Sequence, residues 1–296
     1  MNRAGDRAGP DAERLVAVPP AYDFDGTLRF LPLGGFDPTR ARRPGALWKA
    51  GRTPAGPASL RLALTPAGVL AGAWGPGAAW ILGRVESVLG LHDIPAACPR
   101  PPGRLGALVR RSRGVHLPRS PWVFDTLVRV ILQQRVAFRD ATRSHRRLVQ
   151  VRAEAAPGPP GLLLPLAPRD WLRLSSDDFR RAGVDGQRAA RLRAAARHAR
   201  AADGAFLLEP AAARARLAAI PGCGPWTVEM TLGFGLGDPD AVPVGDLHLP
   251  RLVSAALAGE EKGDDRRMLE LLEPYRGHRF RIVQAVLGAS WLRARY

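Results

Sequence analysis

Residues 217–251, LAAIPGCGPWTVEMTLGFGLGDPDAVPVGDLHLPR, restrict what this chain can build more than any other stretch of it. Residues 217–220 read as the end of a helix, and Pro221-Gly222 breaks it. Gly222 and Gly224 are both free to take positive φ, so the chain can reverse tightly and aim backbone N–H groups outward. Pro225 suits the first position of the next helix, where its missing N–H costs nothing. Trp226, Val228, Met230 and Leu232 follow in a segment of helical character. Two helices joined in this way offer unpaired amides and a positive helix end to an anion without using a side chain. A Gly/Pro-rich loop, a single aspartate at 246 and another apolar run come next.

The charge balance supports an acidic partner. A formal charge of +17 over 296 residues makes nucleic acid the simplest one. Lys49 and Lys262 are the only lysines against 42 arginines, a skew that with the heavy Ala, Gly and Pro use reads as a GC-rich coding sequence. The skew explains the choice of arginine over lysine but not the excess of positive charge. Cys98 and Cys223 are the only cysteines, too few for the four thiolates of an iron–sulfur cluster or for a disulfide framework. No apolar run reaches the ~18 residues of a membrane span, and no secretory segment is visible. The expectation is a cytoplasmic protein with no membrane contact.

Hydrophobic periodicity divides the chain. Residues 1–18 show no sustained period and read as a disordered arm. Residues 19–95 read as a small α+β domain, with alternating strands at 26–31 and 59–64 and a helix over 76–89. A Pro-rich connector at 98–104 leads into an all-helical region, 105–296. Ser120-Pro121 caps a helix whose Val123, Phe124, Leu127, Val128, Ile131 and Leu132 share a face. Shorter helices are predicted at 168–174, 176–182, 186–202, 209–219, 265–272 and 276–293. The fold class is therefore mainly α with a small α+β N-terminal domain.

With these segments placed, the chain resembles the helix-hairpin-helix DNA glycosylase superfamily. Pro221-Gly222-Cys223-Gly224-Pro225-Trp226-Thr227 matches its hairpin, and Ala241-Val242-Pro243-Val244-Gly245-Asp246 matches the loop that carries its catalytic aspartate. Phe124-x-x-Leu127-Val128-x-x-Ile131-Leu132-Gln133-Gln134 is similar to the helix that opens its helical domain. Pro19-Pro20-x-Tyr22-Asp23-Phe24 resembles the opening of the alkylbase (3-methyladenine) glycosylase II branch, the AlkA-like enzymes.

The resemblance implies that Asp246 is the catalytic carboxylate, with an ordinary helix cap as its bland reading. It implies DNA contacts from Pro221, Gly222, Cys223, Gly224, Thr227, Gln134 and Arg135. Arg135 stands where the family wedges a side chain into the base stack, although a phosphate contact or plain surface charge also fits it. Trp226 and Met230 would line the base pocket, with core packing as the alternative for Trp226. Met230 stands where the best-known pattern has an aromatic. Trp122, Trp171 and Trp291 read as packing residues. Bifunctional relatives carry a nucleophilic lysine at the position of Trp226, and indole cannot form a Schiff base. The expected activity is monofunctional: hydrolysis of the N-glycosidic bond of alkylated, 3-methyladenine-like purines in duplex DNA. Rival readings are excision of oxidised or deaminated bases by the same aspartate, and a non-catalytic DNA-binding or damage-sensing protein. The resemblance further implies a monomer, no metal or other required cofactor, and room for a monovalent cation on the hairpin carbonyls.

Overall fold

The computed structural model describes residues 9–29, 37–95, 98–159 and 161–293, with backbone only at 104 and 289–293. An antiparallel sheet of five strands occupies the N-terminal third. β1 (Ala12–Val16), β2 (Arg40–Arg43), β3 (Ala46–Thr53), β4 (Gly56–Thr65) and β5 (Gly68–Trp74) lie in the order β1-β5-β4-β3-β2. Alternation along β4 sends Ala58, Leu60 and Leu62 into one apolar cluster with Ile81, Leu82, Val85 and Val88. The opposite face of the sheet buries Trp48, Ala63 and Trp74 against Leu162 and Leu164 from a later segment. Both faces are thus covered.

Three readings change here. Ala12–Val16, inside the expected disordered arm of residues 1–18, pair with β5 as an edge strand. The strand expected at 26–31 is instead the short helix α1 (Phe24–Leu28). Asp23 accepts the Gly26 amide at 2.8 Å and starts that helix, overriding a brief alternation. Residues 30 and 31 lie outside the described residues. The single helix over 76–89 is split into α2 (Ala78–Leu82) and α3 (Val85–Val88), with Gly83 and Arg84 between them.

Beyond the connector come α4 (Gly103–Arg111), α5 (Val123–Gln133), α6 (Phe138–Arg152), α7 (Pro168–Arg173), α8 (Ser176–Ala182), α9 (Gly186–Arg197) and α10 (Ala199–Gly204). They are followed by α11 (Pro210–Ala218), α12 (Pro225–Leu236), α13 (Leu249–Ala258), α14 (Asp265–Leu272) and α15 (Arg279–Arg293). None of the described helices is long and apolar enough to cross a membrane. α5 is the centre of this half, packed on α6, α9, α10 and α12. Its N-terminus is capped from a distance, because Asp203 on α10 accepts the Phe124 amide at 2.9 Å. Burial raises the Asp203 carboxyl to about 6 against that hydrogen bond. Trp122 and Trp171 are core residues, as expected. The Trp122 indole donates to the Arg52 carbonyl at 2.9 Å and so joins the sheet to α5. The side chain of Trp291 is outside the described residues.

A buried ionic junction reinforces that joint. On α5, Asp125 and Arg129 are buried although the helix is mostly apolar. Lys49 of β3 donates to Asp125 at 2.8 Å, and Arg129 donates to Asp37 at 2.5 Å and to Thr39 at 3.0 Å. Arg40 lies 3.4 Å from Asp125, and His145 of α6 lies 3.9 Å from Asp37. Burial alone would raise the Asp125 carboxyl, but Arg129, Lys49 and Arg40 together hold it well below the usual range. Burial, aided by Arg40, pushes Lys49 down to about 7, and burial with Arg129 pushes His145 to about 4. Lys49 is therefore locked inside the fold, away from any surface nucleophile's position.

Candidate active site

The turn between α11 and α12 is where the sequence placed it. Gly222 takes φ 87°, a left-handed value that favours glycine, and its α-carbon lies against Arg191: an added Cβ would sit 2.6 Å from Cγ of that side chain. Gly224 does not share this conformation. It is the extended N-cap of α12, with φ −73° and ψ 176°, so only one of the two glycines supplies the reversal. Pro225 fills the first helical position. The amides of Gly222, Gly224, Trp226 and Thr227 meet no acceptor among the described residues. They form the anion-facing set that the turn and the helix start were expected to offer.

Three of the residues expected at this surface turn their side chains inward. Gln134, the residue that ends α5, donates to Thr227 Oγ1 at 2.8 Å and to the Gly222 carbonyl at 3.4 Å, and accepts from Arg191 at 2.7 Å. Thr227 is buried beneath it. Cys223 is also buried, its amide donates to Ile220 at 3.0 Å, and burial pushes its thiol up to about 11. Gln134, Thr227 and Arg191 therefore brace the turn, which leaves the backbone as its outward face. Arg135, by contrast, is exposed and sits at φ 59°, a backbone state that non-glycine residues seldom occupy. Pro221 is exposed as well.

Asp246 is delivered by a loop fastened at both ends. Its far end is tied by Asp240, which accepts from the Gly277 amide at 2.7 Å and from Arg279 Nε at 2.7 Å. Asp238 and Glu229 share Arg214, and Glu229 also accepts the Val242 amide at 3.1 Å. Next to the aspartate, Gly245 donates to both oxygens of Asp265, at 3.2 and 3.0 Å. Nothing local in the sequence singles out Asp238, Asp240, Glu229, Arg214, Arg191 or Asp265 for this role. The only local signal was the acid density of the GDPD run, since every partner lies elsewhere in the chain.

The Asp246 carboxylate is half-buried and takes three hydrogen bonds. Oδ1 accepts the amides of His248 and Leu249, each at 2.9 Å, at the entrance to α13. The capping role and an exposed working oxygen thus coexist. Oδ2 accepts the indole N–H of Trp226 at 2.8 Å. A carboxylate oxygen has two lone-pair directions, so Oδ1 is saturated and Oδ2 retains one. Trp226 and, one turn along α12, Met230 are both partly exposed beside it. Leu247, at 86 % exposure, stands next to the acid. The arrangement joins a phosphate-ready backbone turn to a fixed carboxylate through one side chain, Trp226. A carboxylate so placed can stabilise a developing cation or orient a water molecule.

Comparison with known proteins gives two kinds of likeness. No family model matches the chain. In sequence it is 33 % identical over 149 residues to the probable bifunctional transcriptional activator/DNA repair enzyme AlkA of Mycobacterium tuberculosis, found in two strains. That match takes in 49 % of this chain but 29 % of the relative, so the chain spans less than a third of the length of these curated relatives. In structure it superimposes on a 3-methyladenine DNA glycosylase from Archaeoglobus fulgidus with a TM-score of 0.77, 16 % identity, and coverage of 95 % of this chain and 98 % of the other. It also superimposes on the Clostridium acetobutylicum 8-oxoguanine glycosylase/lyase bound to double-stranded DNA, with a TM-score of 0.67, 12 % identity, and coverage of 97 % and 100 %. The fold is that of the helix-hairpin-helix DNA glycosylases, and over the matched 149 residues the chain is a homologue of AlkA.

Proposed function

We propose that this protein is a monofunctional DNA glycosylase that hydrolyses the N-glycosidic bond of alkylated, 3-methyladenine-like purines in duplex DNA. The observation that carries the proposal is the Asp246 carboxylate, held at 2.8 Å by Trp226 of the same helix whose start offers the unpaired amides. A base within a duplex is out of reach, so the nucleotide is flipped out at a cost of a few kcal/mol. The amides of Gly222, Gly224, Trp226 and Thr227 grip the backbone while the excess of arginine supplies attraction without regard to sequence. Exposed Arg135 fills the space the nucleotide leaves. As the C1′–N bond lengthens, positive charge builds on the sugar. The Asp246 Oδ2 lone pair left free by Trp226 faces that charge or orients the attacking water. An electron-poor alkylated purine is attracted to the face of an indole, the role given to Trp226.

Hydrolysis without strand cleavage follows from the same position. Indole cannot attack the sugar carbon, and Lys49 is buried on Asp125. Release of free 3-methyladenine from methylated duplex by the wild-type protein, and its fall by about 10²–10⁴-fold in Asp246→Asn with DNA binding retained, is the expected result. Borohydride is expected to trap no protein–DNA adduct. Release confined to 8-oxoguanine would overturn the substrate, and unchanged release from Asp246→Asn would overturn the mechanism.

A further inference from the structure

A second cationic feature lies away from the hairpin. Arg29 at the end of α1, Pro95, Cys98 and Arg100, α4 and α15 line an open pocket, and five of its lining residues are arginines: Arg29, Arg100, Arg110, Arg113 and Arg281. It shares no residue with the hairpin or with Asp246. Like charges that converge on one opening repel one another, and within a protein boundary that repulsion is several times stronger than in water. Such a cluster persists when something else in the fold holds it or when an anion completes it.

The charge count leaves an anion wanting. Arg281 is paired with Asp93, and it donates to the Val115 carbonyl at 3.3 Å. Its side chain is 8 % exposed, yet its Nε has no hydrogen-bond partner among the described residues. Arg100, Arg110 and Arg113 face no carboxylate within salt-bridge reach among the described residues. Some arginines of the same half do meet carboxylates: Arg267 meets Glu260, Arg276 meets Glu273, and Arg279 meets Asp240. Arg29 reaches over from α1 to α15, where a Cβ on Gly288 would lie 3.6 Å from its Nη1. Beside Arg281, the amide of Gln284 is a further donor and is itself buried.

We infer that this pocket is a phosphate-binding site, distinct from the hairpin, in which Arg110, Arg113 and Arg281 fork the oxygens of a phosphate group with Arg29 and Arg100 at its rim. Phosphate suits it better than a carboxylate. Its oxygens can accept from several planar forks at once, and its charge of up to two matches the excess of Arg110, Arg113 and Arg281 over Asp93. The lining outside the arginines is aliphatic and amide, without an aromatic platform for a nucleobase. The phosphate alone is therefore recognised. Its source is a free phosphate or phosphomonoester, or a phosphodiester of nucleic acid.

The test uses the full chain and the double variant Arg110→Gln/Arg113→Gln, two exposed positions whose loss leaves the core untouched. Titration calorimetry with inorganic pyrophosphate, at fixed ionic strength, is expected to show in the wild type a saturable site, separate from any binding at the hairpin, that is weakened at least tenfold in the variant. In parallel, the salt dependence of DNA binding separates the sources. A slope shallower by about 0.9 in the variant marks one lost DNA phosphate contact, and an unchanged slope with weakened pyrophosphate binding marks a free phosphate. Saturable pyrophosphate binding that the variant retains, or none in either protein together with equal DNA slopes, would overturn the site.

Discussion

The ionic junction under α5 and the surface around Asp246 are built from the same residue types to opposite ends. In the junction, every carboxylate is surrounded by cations, and Asp37, Asp125, Arg40, Lys49, Arg129 and His145 are all buried. Around Asp246, amides at the start of α12 lack partners among the described residues, Arg135 holds a strained backbone state in solvent, and Leu247 is almost fully exposed. The first fixes how the N-terminal sheet meets the helical half. The second leaves unspent interactions facing outward, the condition for binding something else. Buried charge is costly unless paired, so the two regions should respond differently to the loss of one group.

The sharpest way to break this contrast is to remove one charge from the junction. Asp125→Asn leaves Lys49, Arg40 and Arg129 without their shared carboxylate, and a loss of about 3–5 kcal/mol in urea denaturation is expected. A loss near zero would mean that water enters the junction. The pH response comes next. His145 titrates near 4 in the folded protein and at its ordinary value of 6.5 when unfolded, so the unfolded chain binds the extra proton between these limits. Stability is expected to be full above about pH 6.5 and to fall as pH drops towards 4, by on the order of 3 kcal/mol. Asp203 has the opposite sign: with its carboxyl raised to about 6, the folded chain holds the extra proton, and stability falls as pH rises from 3.8 to 6. Comparing denaturation across this range for wild type, His145→Gln and Asp203→Asn isolates the two slopes. A His145→Gln profile parallel to the wild type would refute the first.

Smaller effects are expected around Asp246. Gly222→Ala strains a φ of 87° and drives a methyl into Arg191, at about 1–3 kcal/mol of stability, and weakens DNA binding by misplacing the amides. Unaltered DNA affinity in a folded Gly222→Ala protein would detach the turn from phosphate binding. Trp226→Phe removes the indole donor from a half-exposed Asp246. A fall in kcat of roughly tenfold or less is expected, consistent with one hydrogen bond to a charged group. If only KM moved, Trp226 would serve the base pocket and not the acid.

Much of the fold was legible in local sequence. The helices read at 168–174, 176–182, 209–219 and 265–272 fall within about a residue of α7, α8, α11 and α14, because caps such as Ser175 and prolines such as Pro168 and Pro210 mark their ends chemically. The sheet was less legible. β1, β2, β3 and β5 went unread, since Ala- and Gly-rich strands such as β5 carry little alternation, and both faces of the sheet are covered. In the site, the turn, its proline and the lone aspartate were visible as types and spacing. The opposite charges at Asp125 and Arg129, four apart on an apolar helix, were a visible hint of the junction that sequence reading passed over.

Sequence by itself determined the break at Pro221-Gly222, the helix that starts at Pro225 and the presence of a carboxylate twenty residues beyond Trp226, because proline, glycine and helix caps act on their near neighbours. Only the tertiary structure decided that Trp226 and Asp246 touch, that Gln134 and Thr227 brace the turn, and that Asp265, Asp240 and Glu229 hold the intervening loop. Those pairings join residues up to 93 apart in the chain. No local propensity encodes such a distance; it is set by how the buried faces of α5, α12 and α15 pack.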